Sequence, residues 1–218
     1  MRLCGIDEAG RGPVIGPMVI VGVLISYEKE ELLREINVRD SKLLSQKERI
    51  KLYEKIIDIV DSYETRIIMP DEIDYAVWHS TLNLNWLEAI KSAEIINHLM
   101  PDRAIIDAPS PNTSAYKNYL KKKLSKKDIE IIAEHKADSN YVVVSAASII
   151  AKVIRDMEVE KLRKIYGDFG SGYLSDEKTV RFLQENHTLP IFRKSWQPWK
   201  DIEERKKQKS LSEFCNKR

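Results

Sequence analysis

Cysteine is almost missing from these 218 residues: Cys4 and Cys215 stand near opposite ends, with no CxxC pair. That rules out a disulfide framework and makes a reducing, cytoplasmic setting the expectation. A membrane-length apolar run is missing too. The longest, Pro13–Ile25, has thirteen residues, whereas a spanning helix needs about 20. Asp7, Glu8 and Arg11 precede it, which argues against a cleavable leader, so it is read as a buried strand. Only four histidines occur, His79, His98, His135 and His187, none in a motif with a nucleophilic Ser or Cys. For His135 a hydrogen-bonded structural role is expected. No repeat and no low-complexity linker breaks the chain, so one main unit, residues 1–197, is expected with a basic tail, 198–218.

What is present is charge, unevenly spread. The net charge is +2. The stretch Lys117–Lys127 (KNYLKKKLSKK) carries +6 and Arg193–Arg218 carries +5, so the remainder is −9. Such a chain can approach a polyanion with its basic patches while its acids hold cations. Ordinary solvated charge is the competing reading of each patch.

Apolar spacing outlines the elements. Strands are expected at Leu3–Asp7, Met18–Ser26, Tyr63–Met69, Arg103–Asp107 and Ile129–Ala133. A helix is expected over Ser45–Val60, with Ser45 and Glu48 as a capping box. Further helices are expected at Asp71–Trp78, Trp86–Leu99, Val142–Tyr166 and Asp176–Glu185, with a partly helical tail from Pro198. An early meander followed by alternating helix and strand predicts an α/β fold, a mixed sheet flanked by helices. On the long helix, Val143, Ala147, Ile150, Ala151, Ile154 and Met157 should face the core. Ser145, Ser148, Lys152 and Arg155 should lie on another side, suited either to a phosphate backbone or to plain solvation. Asp156 is expected to be structural.

The carboxylates carry the chemistry. Asp7 and Glu8 end the first strand, Asp107 ends another, and Asp138 lies between a strand and the long helix. The carboxyl ends of strands are where open α/β sheets handle ligands. Like charges brought together there repel unless a cation resolves the conflict. Hard oxygen ligands without Cys or His point to Mg²⁺ or Mn²⁺, and two such ions can catalyse phosphodiester hydrolysis. The alternative for each acid alone is a turn or a helix cap. The loop Gly10-Arg11-Gly12 follows at once, and its glycines permit close backbone approach to a substrate.

GIDEAGRGPVIGP at the N-terminus, Asp40-Ser41-Lys42, IIDAP at 105–109 and HKADSNYVVVSAASIIAKVIRD at 135–156 together resemble ribonuclease HII, the type 2 ribonuclease H family, and its archaeal members most. The motifs occur in the family's order from Leu3 to about Trp196. The resemblance implies an RNase H-like mixed five-stranded sheet flanked by helices, with a C-terminal helical extension. It implies cleavage of the RNA strand of RNA–DNA hybrids, and of ribonucleotide-containing duplex DNA on the 5′ side of a single ribonucleotide, giving 3′-hydroxyl and 5′-phosphate. By the same resemblance Asp7, Glu8, Asp107 and Asp138 are the metal-binding carboxylates for two divalent ions. Gly10, Arg11 and Gly12 sense the 2′-hydroxyl, Tyr173 reaches the same sugar, and Lys42 contacts phosphate. Ser148 and Lys152 join them as candidate backbone contacts. Valine stands at 142, where the family often has proline. In the tail, Gln208, Leu211 and Phe214 resemble the box by which replication and repair enzymes dock onto a sliding clamp, with Cys215 where a second aromatic is usual. No membrane partner is expected, and the chain is expected to be monomeric.

Two other readings are open at this point. A DNA nuclease of the same fold would cut an all-DNA duplex and ignore a ribonucleotide. A clamp-tethered binding module would bind nucleic acid salt-sensitively without metal-dependent turnover.

Overall fold

The computed structural model describes residues 1–38 and 44–215, with side chains described as far as Gln208. Five strands form one mixed sheet: β1 (Arg2–Ala9), β2 (Met18–Ser26), β3 (Ser62–Ile68), β4 (Arg103–Asp107) and β5 (Glu130–Glu134), in the order β3-β2-β1-β4-β5. β1, β2 and β3 pair antiparallel, and β4 and β5 run parallel to β1. The sequence-based expectation of a five-stranded mixed sheet is met, with strand ends shifted by one or two residues.

Helices cover both faces. On one lie α3 (Pro70–Trp78), α4 (Leu84–Leu99) and α5 (Thr113–Lys123), which with Cys4, Ile6 and Ile106 enclose one core. On the other lie α1 (Glu30–Glu35), α2 (Gln46–Ile59) and α7 (Val142–Tyr166), reached through the short α6 (Ala137–Asn140). Leu3, Val21, Ile105 and the first half of α7 fill the second core. α8 (Glu177–Asn186) and α9 (Gln197–Cys215) build a third cluster with Phe169, Leu183 and Phe192, against which Trp199 and Ile202 pack. Among the described residues no helix is long and apolar enough to cross a membrane.

Three local expectations are met. Ser45 caps α2 in a capping box with Glu48, Val142 is the first residue of α7, and His135 is hydrogen-bonded, its Nδ1 lying 2.9 Å from the Ala108 carbonyl. Two others need correction. Met157 does not face the core but is 48 % exposed. At about 1.5 Å per residue α7 outruns the sheet beneath it, so its later turns have less to cover them. Ser145, Ser148 and Arg155 do not form a solvated face; all three are buried, because they pack against Asp138, Asp7 and Gly10 at the end of the sheet.

Gly5 sets the depth of that packing. A Cβ at this position would overlap the Val143 carbonyl on α7. The missing side chain lets helix backbone lie directly on β1, two residues before Asp7. Gly5→Ala is expected to destabilise the protein by about 3 kcal/mol or more, since backbone rather than a flexible side chain must yield. Urea unfolding of the two proteins measures it, and a difference below about 1 kcal/mol would mean that α7 can lift off the sheet cheaply.

Candidate active site

Register brings the first two carboxylates together. Ile6 pairs with Ile106 in the parallel ladder, so Asp7 and Asp107 occupy the next rung at the carboxyl ends of adjacent strands. Both project toward α7, because strand side chains alternate and Leu3 and Ile105 share that face. Asp138, on α6, completes the group: Asp7, Asp107 and Asp138 each present an oxygen within 4.8 Å of the others. The α6 segment is pinned to its neighbours. The Ala137 N–H donates to Asp107 Oδ1 at 3.3 Å, and the buried Ser145 hydroxyl donates to the Asp138 carbonyl.

Glu8 points the other way. Alternation turns it toward the α4 side, and it is not one of the three clustered carboxylates. It lines instead a cleft of about 730 Å³ whose walls include Gly10, Arg11, Gly12, Lys152, Arg155 and Tyr173. Glu8 is thus where the cluster and the cleft meet.

Burial and crowding make these acids reluctant to ionise. Desolvation, with a further push from the Asp107 charge, raises Asp7 from 3.8 to about 7, although the Ser148 hydroxyl stabilises its anion. Ser148 in turn accepts from Lys152 Nζ at 2.8 Å. Glu8 is raised well above its usual range by burial and then by Asp7. A buried anionic group that resists ionisation is the arrangement a divalent cation relieves, and the all-oxygen donor set suits Mg²⁺ or Mn²⁺.

The loop after β1 is not bare. Arg11 Nε donates to Glu88 Oε1 at 2.8 Å and its Nη2 to Asn85 Oδ1 at 2.6 Å. Glu88, on α4, is 1 % exposed, and burial lifts it to about 7 against the pull of Arg11. Gly10 has φ +81°, and a Cβ there would overlap the Arg155 side chain; only glycine suits both conditions. Tyr173 is 41 % exposed, with the Arg155 guanidinium 5.7 Å from its ring centroid. Its loop is stitched to the first by Val14 N–H donating to the Gly172 carbonyl at 2.9 Å. Across the cleft Arg49 Nη1 donates to Asp156 Oδ2 at 3.0 Å, a structural use of Asp156 as expected.

The structure therefore gathers Asp7, Asp107 and Asp138 in one cluster. Gly10, Arg11, Gly12, Lys152 and Tyr173 line one cleft beside Glu8, with Ser148 beneath Lys152. Lys42 lies outside the described residues, as do the side chains of Leu211 and Phe214; Gln208 is exposed on α9. Arg193 needs correction. Counted by sequence with the basic tail, it is fully buried, so it adds nothing to a surface patch. Sequence reasoning also missed Glu88, although a glutamate in a helical stripe with Ser92, Ile95 and Leu99 was a readable signal.

Known proteins resemble this chain over its whole length. The family model described as Ribonuclease HII matches residues 4–198. The ribonuclease HII of Pyrococcus furiosus is 45 % identical, with all of both chains covered. The crystal structure of ribonuclease H2 from Pyrococcus horikoshii superposes with a TM-score of 0.87 at 45 % identity, covering 94 % of this chain and 98 % of that one. A PCNA:RNase HII complex from Archaeoglobus fulgidus supplies another likeness, with a TM-score of 0.82 at 38 % identity, covering 90 % and 96 %.

The raised Asp7 has a thermodynamic consequence. Between pH 4 and about 7 the metal-free native state keeps a proton that the unfolded chain gives up, so stability falls as pH rises through that window. Asp7→Asn removes the ionisation and is expected to raise the melting temperature of the metal-free protein at pH 8 by several degrees. The same change should remove most of the stabilisation that added Mn²⁺ gives the parent. Thermal melts with chelator and with Mn²⁺ check both, and an unchanged response to Mn²⁺ would place the cation elsewhere.

Proposed function

The chain belongs to the ribonuclease HII family, and on that premise we propose that it cuts duplex DNA on the 5′ side of a single embedded ribonucleotide, leaving 3′-hydroxyl and 5′-phosphate. It is a hydrolase, a nuclease that cleaves RNA within RNA–DNA hybrids. What supports the finer reading is the junction of an aspartate cluster with a glycine-flanked loop along one cleft.

In this reading the clustered Asp7, Asp107 and Asp138, with Glu8 beside them at the edge of the cleft, would hold two divalent ions, Mg²⁺ or Mn²⁺. Ions bound there would supply Lewis acidity for phosphodiester hydrolysis. The remaining work falls to the chain itself. Lys152 offers an ammonium to the scissile-strand phosphates, held by Ser148 beneath it. Gly10, Arg11 and Gly12 approach the sugar edge closely enough to meet a 2′-hydroxyl, the group that tells RNA from DNA. Tyr173, backed by Arg155, presents a ring face to the neighbouring sugar. Lys42 contacts a phosphate.

The tail has a separate role. A relative from Archaeoglobus fulgidus has been solved in complex with PCNA. Here Gln208, Leu211 and Phe214 are assigned to docking on such a clamp, on a basic segment that suits proximity to DNA.

Duplex DNA carrying one ribonucleotide is expected to be cut on its 5′ side with Mg²⁺ or Mn²⁺ and to stay whole with chelator. Asp7→Asn should lower the rate by at least about a hundredfold while leaving duplex binding. Cleavage of long RNA–DNA hybrid alone, with the single-ribonucleotide duplex untouched, would overturn the sugar-sensing assignment and leave the metal assignment standing.

A further inference from the structure

Three successive carbonyls of the Gly10–Gly12 loop accept hydrogen bonds from one four-residue segment far away in sequence. Arg193 Nη2 donates to Gly10 O at 2.6 Å, Arg193 Nη1 to Arg11 O at 2.7 Å, and Trp196 Nε1 to Gly12 O at 3.2 Å. The same guanidinium closes the far end of the loop, donating to Gly16 O from Nε at 3.1 Å and from Nη2 at 3.0 Å. Its own backbone N–H donates to Val14 O at 2.9 Å. The segment is itself fixed. Asp74 on α3, 4 % exposed, accepts from the N–H groups of Lys194 and Ser195, both at 2.8 Å, and from the Ser195 hydroxyl at 2.6 Å.

We infer that Arg193 and Trp196 are positioning residues for the recognition of ribose: Arg193, by taking the Gly10 and Arg11 carbonyls from behind, turns the Arg11 and Gly12 amides toward the substrate, and Trp196, by holding Gly12 O, fixes the end of the loop that carries the second of these amides. This rests on the function proposed above. The stereochemistry is simple. In a planar trans peptide the C=O and the following N–H point in opposite directions. With the carbonyls of Gly10 and Arg11 drawn toward Arg193, the N–H groups of Arg11 and Gly12 point away from it. The third peptide offers no N–H, because Pro13 follows. Arg11 and Gly12 line the cleft, and a Cβ on Gly12 would lie 3.6 Å from the Tyr173 ring, so that side of the loop is where the sugar is read. A loop with glycines at 10 and 12 has wide conformational freedom. A planar guanidinium with donors in a fixed fork removes that freedom in a way a lysine cannot.

Trp196→Phe keeps the ring and deletes one donor; Arg193→Lys keeps the charge and deletes the fork. For each variant, cleavage and chelator-held binding are measured on two duplexes that differ only in ribose or deoxyribose at one position. Melting temperatures report whether the variants remain folded. Trp196→Phe is expected to melt within a few degrees of the parent and to lose about tenfold in kcat/KM on the ribonucleotide duplex, about the worth of one hydrogen bond. Its affinity for the all-DNA duplex should be unchanged, so the ribose preference in binding shrinks. Arg193→Lys should lose more. A general loss of fold would weaken binding to both duplexes alike. If the parent cuts at the ribonucleotide and folded Trp196→Phe keeps the full ribose preference, the inference is wrong while the function stands. If the parent does not cut there, the function is wrong and the inference falls with it.

Discussion

Mutual repulsion among Asp7, Asp107 and Asp138 is the force that the rest of this architecture must hold in check. Nothing about three carboxylates favours their standing within 4.8 Å of one another in a partly buried setting. The work is done by backbone. A parallel ladder fixes two of them on one rung, and a glycine beneath α7 brings helix against strand. A pinned turn delivers the third. Stability thus comes from the ladder and the two cores, and the site draws on it.

The acids lie on two sides of the sheet but feel one another's charge, Asp7 raising both Glu8 and Glu88. On the α7 side, Lys152 and Ser148 answer the charge of Asp7. On the α4 side, Glu88 raises Glu8, with Arg11 as counterion to both. A glutamate so buried would be an odd choice for stability alone, since a paired buried charge gains little over an apolar replacement. Its evident use is geometric: Glu88 and Asn85 tie the Arg11 side chain to α4 while Arg193 ties the backbone.

Much of this was legible beforehand. Strand-end acids, the capping box of α2 and the span of α7 are local patterns, and local patterns survive in a single sequence. Burial around α7 was not, because a polar stripe reads the same whether it faces water or, as Ser145, Ser148 and Arg155 do, the polar groups of a neighbouring site. Arg193 was misread for a related reason. Charge counted along the chain says nothing of a fold that draws one residue of a basic stretch into the interior. The loop's fixing was hidden for a deeper cause: each hydrogen bond from the Arg193 and Trp196 side chains to its carbonyls joins residues at least 177 positions apart.

That separation bears on how the molecule comes into being. Contacts between distant residues form late, because the chain must lose the entropy of a long loop before they reward it. The strand carrying Asp7 and Glu8 is synthesised long before Arg193 and Trp196, the residues that fix the loop beside it. A nascent chain that ends before Trp196 would own the acids without the full set of hydrogen bonds that holds the neighbouring loop. Chain order therefore lets the strand that carries the acids exist well before the loop beside it can be fixed.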